Sequence, residues 1–92
     1  MAREYWPDKD PDEVLDYSID WEARLGADTI STSAWSVIEG TVVEGVNNKT
    51  NTVTTVWLSG GVAGENAAIH NRIVTAGGRT MDQTLYLKVR VK

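Results

Sequence analysis

Apolar and polar positions alternate most cleanly near the end of the chain, where Leu85, Leu87, Val89 and Val91 are separated by Tyr86, Lys88 and Arg90. A period of two predicts a strand with one buried and one wet face. Ala76-Gly77-Gly78-Arg79 separates it from the stretch 67–75, and paired glycines supply the backbone freedom of a hairpin turn. In 67–75 the residues Ala67, Ile69, Ile73 and Thr75 share one face. Asn71 falls among them and, once covered, needs hydrogen-bond partners.

Earlier segments repeat the theme. Residues 52–58 place Val53, Thr55 and Trp57 on one side and Thr54, Val56 and Leu58 on the other; the side carrying the Trp is expected in the core. Residues 41–46 form a short Val-rich run before the polar loop Asn47-Asn48-Lys49-Thr50-Asn51. In 29–38, Ile30 has the opposite parity from Trp35 and Val37, which predicts a bulge near Ser31 to Ser33.

Residues 12–25 support two readings. At period two, Leu15, Tyr17, Ile19 and Trp21 point inward. As a helix, Asp10 is the cap, Pro11 the first helical position and Glu13 the partner of a capping box, with Val14, Tyr17, Trp21 and Leu25 as the apolar stripe. The expected core is therefore Leu15, Tyr17, Ile19, Trp21, Trp35, Val37, Val53, Trp57, Ile69, Ile73, Leu85, Leu87 and Val89.

Thr, Val and Ile supply 26 of the 92 residues, a β-favouring composition. Short connections and the absence of a crossover helix predict an all-β, antiparallel two-layer sandwich, with a small barrel as the other solution. Residues 1–11 read as an N-terminal arm and 12–92 as one sandwich domain. Tyr5 and Trp6 on that arm would dock either on the chain's own sheet or in a neighbouring subunit.

Charge is unevenly placed. Residues 1–28 carry nine acidic and three basic side chains, and residues 29–92 carry four acidic and six basic, for a net of −4. Opposite patches favour an oriented head-to-tail encounter. The basic residues Lys49, Arg72, Arg79, Lys88, Arg90 and Lys92 are dispersed, which disfavours nucleic acid as a partner. No apolar run approaches the roughly 18 residues of a membrane span, and the first residues lack the apolar stretch of a secretory signal.

Catalytic equipment is sparse. There is no Cys and one His, His70, expected on an outer strand face. Asp8-x-Asp10-x-Asp12 has the opening spacing of a calcium loop, but Glu13 stands where the turn needs Gly and Ile19 where the final carboxylate belongs. Asp16 and Asp20 would lie about 13 Å apart along a strand, too far for a glycosidase pair. Gly60-Gly61-x-x-Gly64 leads into no helix with a phosphate-binding Lys. No catalytic residue, metal site or cofactor is expected. A sugar platform would need two or more exposed rings on one outer face.

The runs Asp10-Pro11-Asp12-Glu13-Val14-Leu15-Asp16-Tyr17-Ser18-Ile19-Asp20-Trp21, Leu25-Gly26-Ala27-Asp28-Thr29-Ile30, Val56-Trp57-Leu58-Ser59-Gly60-Gly61 and Asn71 to Thr80 together resemble a family of small tailed-bacteriophage proteins. Its members are fiber–tail adaptors or tail-associated virion proteins. The likeness covers roughly residues 6–91; the Asn47–Asn51 loop departs from it. The resemblance implies an immunoglobulin-like sandwich of about six or seven strands with an N-terminal arm. It also implies a structural role without catalytic residues, joining tail or connector components, with head decoration and host-surface glycan or receptor binding as rivals. Partners would be other phage structural proteins, including copies of the chain in a ring. The protein would reside in the virion after a stage in the host cytoplasm. Positions expected to meet neighbours are Tyr5, Trp6, Asp8, Asp10, Asp12, Asn48, Lys49, Arg72 and Arg79.

Overall fold

A computed structural model describes residues 3–92. Met1 and Ala2, the start of the expected arm, lie outside the described residues. The elements run β1 (Leu15–Asp20), α1 (Glu22–Leu25), β2 (Ile30–Glu39), β3 (Val42–Lys49), β4 (Val53–Gly60), β5 (Asn66–Thr75) and β6 (Thr80–Lys88). They form two three-stranded sheets, ordered β1-β4-β3 and β2-β5-β6, with every strand pair antiparallel. The sheets pack as an immunoglobulin-like sandwich, in agreement with the sequence.

Period two explains what lies between the layers. Tyr17 and Ile19 of β1, Val56 and Leu58 of β4, Ile69 and Ile73 of β5, and Leu85 and Leu87 of β6 are buried. Leu15 and Val37 pack partly buried against them. Asn71 is fully buried among these residues and finds the partners it needs. Its Oδ1 accepts from Thr54 Oγ1 at 2.7 Å and Trp21 Nε1 at 3.2 Å, while its Nδ2 donates to Ser33 Oγ at 2.9 Å and the Ala34 carbonyl at 3.0 Å. One amide thus ties both sheets and the β1–α1 junction together. The expected bulge in β2 is present, as a register shift between Ile30 and Thr32.

Both readings of residues 12–25 capture part of that segment. Leu15–Asp20 is strand; Trp21 then turns the chain into the four-residue helix α1, and its indole is buried. Only half of the capping box forms, the return bond from Glu13, and no helix follows it directly. Asp10 N–H donates to Glu13 Oε1 at 2.7 Å and Glu13 N–H to the Asp10 carbonyl at 3.0 Å, closing a turn. Pairing of β1 with β4 then takes the backbone groups that a helix would have used.

Four expectations need correction. Trp57 and Val53 are not core: Trp57 is 40% exposed and Val53 half-buried, because β4 turns Thr54, Val56 and Leu58 inward. Both parities of β4 are β-branched or apolar, and the bond from the Thr54 hydroxyl to Asn71 satisfies the one polar group on the buried side. The polar loop is shorter than expected, since Asn47, Asn48 and Lys49 continue β3 opposite Val56, Thr55 and Thr54. Backbone pairing is indifferent to side chain on an edge strand open to water. Trp6, expected among the contact positions, takes instead the other place open to it, docked on the chain's own sandwich as a core residue 9% exposed.

The segment containing Trp6 is consequently not detached from the sandwich. It runs parallel to β6 through bridges at Tyr5–Tyr86 and Lys9–Val89. Four backbone bonds hold it, from Trp6 N–H to Tyr86, Tyr86 N–H to Glu4, Lys9 N–H to Lys88 and Arg90 N–H to Lys9, at 2.8–3.0 Å. The Trp6 ring lies 4.9 Å from Tyr17 and 6.0 Å from Trp35, and its Nε1 donates to the Ser18 carbonyl at 3.0 Å. Lys9 is fully buried, and its ammonium donates to the Gly60 and Asp10 carbonyls at 2.6 and 2.9 Å. Burial pushes the Lys9 pKa down, opposed by Glu13, Asp10, Asp12 and Glu65.

Candidate docking face

A sandwich buries the inner face of each sheet and offers the outer faces to the surroundings. On the β1-β4-β3 sheet, register places Asp16 beside Trp57, Ser18 beside Thr55, and Asp20 beside Val53. Across β4, Val43 stands opposite Ser59 and Asn48 opposite Thr55. Trp57 faces the register shift between Glu44 and Asn47, where Gly45 and Val46 depart from simple pairing. There a groove of about 410 Å³ opens, lined by Val14, Gly45, Val46, Trp57, Leu58 and Ser59. A Cβ at Gly45 would sit 3.5 Å from the Trp57 carbonyl oxygen; its absence leaves the floor of the groove open. Val14, Val43 and Val46 are each more than half exposed. The charged side chains at outward positions of these strands are both acidic, Asp16 and Asp20.

The outer face of β2-β5-β6 has the opposite character. Tyr5 and Tyr86 pair there at 5.7 Å with a 44° tilt. Arg3 lies over the Tyr86 ring at 4.5 Å and Lys88 over Tyr5 at 5.3 Å. Asn66 Nδ2 donates to the Tyr5 hydroxyl at 3.3 Å, and this bond, with lesser help from Arg3 and Lys88, lowers the Tyr5 pKa. Further along the same face, Asp82 takes Arg72 Nε at 2.8 Å and His70 Nε2 at 3.1 Å. The bond from Arg72 is the main reason the Asp82 carboxyl is held below its ordinary range.

The sequence-predicted contact positions fall into three groups. Asp8 and Asp10 are used within the chain: Asp8 faces Arg90 at 3.5 Å, and Asp10 accepts from the Lys92 and Asp12 backbone at 2.8 and 2.9 Å. Arg79 is likewise internal, clamping Asp28 at 3.1 Å and the Leu25 carbonyl at the end of α1 at 2.8 Å. With bonds from Thr75 foremost, then Thr29, Gly77 and Arg79, Asp28 is depressed to about 2. Tyr5 and Arg72 belong to the cationic, aromatic face; Asn48, Lys49 and Asp12 are exposed, with Lys49 Nζ reaching the Ile30 carbonyl at 3.2 Å. The groove residues Val14 and Val46 were not among the contact positions expected from sequence. The interruption of the Val-rich run by Gly45 is the one signal that could have pointed to them.

Among the described residues no group of three or more His, Cys, Asp or Glu could hold a metal ion. The Trp57 face carries one ring rather than a sugar-binding pair, and Tyr5 and Tyr86 are tilted rather than coplanar. Fold and surface define a small β-sandwich with an exposed apolar groove on one outer face and an aromatic patch flanked by cations on the other. The chain belongs to the family of the podophage GP4 fiber-tail adaptor protein gp77, whose model matches residues 9–88, and it is a phage structural adaptor. No curated protein matches the chain.

Proposed function

We propose that this adaptor joins tail or connector components of the particle, at the junction where fibers attach, with copies of itself set side by side in a ring. The exposed apolar groove around Trp57 carries this reading: a surface of that kind on a small protein is a place for a partner. The sandwich serves as a rigid spacer. Its core is fixed by the Asn71 network, and the N-terminal segment closes the β6 edge that would otherwise be free to pair with other chains. The chain would be made in the host cytoplasm and retained in the finished virion. A reconstruction of the particle tests the proposal. Density for this sandwich, in several symmetry-related copies between tail and fiber, is expected; density on the capsid lattice instead, or none anywhere, overturns it.

A further inference from the structure

We propose that neighbouring copies associate head to tail, the Trp57 groove of one receiving the Tyr5–Tyr86 pair of the next. This rests on the side-by-side arrangement above and names the surfaces that make it. Three observations point the same way. First, the two faces complement each other in charge: Asp16 stands beside Trp57 at the groove, whereas Arg3 and Lys88 flank the tyrosines. Second, they complement each other chemically. The groove is apolar with an indole wall, and the opposite face offers the exposed Tyr5 ring backed by the half-buried Tyr86, with Lys88 and Arg3 beside them, a combination suited to contact with Trp57. Third, the area suffices. The molecule is a slab of 41 × 30 × 19 Å, so either broad face exceeds the about 800 Å² that a standard interface takes from each partner.

The two surfaces differ, so the contact is heterologous: each copy keeps one groove and one tyrosine face free, and repetition closes a ring or grows a filament. Same-face pairing, groove against groove, would bring the Asp16 carboxylates of both copies together. It is disfavoured by that repulsion.

Sedimentation of the full chain tests this. The parent is expected to exceed its monomer mass of 10.1 kDa as concentration rises. Trp57→Asp and Tyr5→Asp each alter an exposed side chain, and each alone should weaken association roughly thirtyfold, the loss of a hot-spot aromatic. An equimolar mixture of the two variants is the decisive arm. Each supplies the surface the other lacks, so the mixture should form dimers and nothing larger. Asp16→Lys mixed with Lys88→Glu provides a second pair that leaves every aromatic residue in place. A parent that remains monomeric to about millimolar concentration overturns the contact, as does a mixture no heavier than its components. A monomeric parent together with density at the tail junction sinks this contact and leaves the adaptor reading standing. An associating parent with density elsewhere does the reverse.

Discussion

Trp6 and Trp57 occupy places opposite to those their neighbourhoods advertise. Trp6 lies outside every strand, on a segment rich in charge, yet it is buried between Tyr17 and Trp35 with its indole N–H bonded to Ser18. Trp57 lies in the middle of a central strand and is exposed. The difference teaches that in a two-layer fold the fate of an aromatic side chain is set by which layer edge needs closing, not by membership of a strand. The β6 edge is closed by Trp6 and Lys9; the face around Trp57 has no such cover.

The largest expected break in this comparison is Trp6→Ala. Removing a buried aromatic ring should cost about 3–5 kcal/mol in urea unfolding followed by circular dichroism. A loss below about 1 kcal/mol would mean that the N-terminal segment contributes little to the fold. Next comes Asn71→Ala, which takes the acceptor from the Thr54 hydroxyl, leaves the Trp21 indole N–H only its bond to Thr54 Oγ1 at 3.1 Å, and removes the donor to the Ser33 hydroxyl and the Ala34 carbonyl. We expect about 2–3 kcal/mol by the same measurement, since buried groups left unpaired cost more than the bonds themselves gained.

A smaller effect depends on pH. Asp28 is depressed to about 2 in the fold, against about 3.9 for an unfolded chain. Its contribution is fully present above about pH 4 and fades as pH falls towards 2, because the unfolded state then binds the proton more readily. Thermal melts of Asp28→Asn should therefore fall below the parent at pH 6 and converge on it near pH 2; parallel curves would count against the assignment. Smallest of all is Trp57→Ala, expected to change stability by no more than about 0.5 kcal/mol. A loss like that of Trp6 would show that the groove is structural rather than open for contact.

Much of the sandwich was legible in the sequence, for reasons visible at particular residues. Alternation in 85–89 and the double glycine at 77–78 have one interpretation each, and both appear in the structure as β6 and its hairpin. The buried Asn71, flagged by its parity, was satisfied as required. Parity failed on β4 because Thr, Val, Trp and Leu fill both of its faces, and only the opposing sheet decides which set is covered. Lys9 was illegible for another reason. A lysine between two aspartates reads as solvated, and its burial depends on the Gly60 carbonyl fifty-one residues away. The docking face was hidden because the place of Val46 opposite Trp57 is a property of the bulge between Glu44 and Asn47, not of any residue alone.

Pairing of the Trp6 segment with β6 has a consequence in time. During synthesis the partner strand for this segment is made some eighty residues after it, so the Trp6 indole stays without its β6 cover until that strand has left the ribosome. Closure of this edge is a late act of maturation, and chains halted before residue 86 would carry an unsheltered tryptophan that invites clumping.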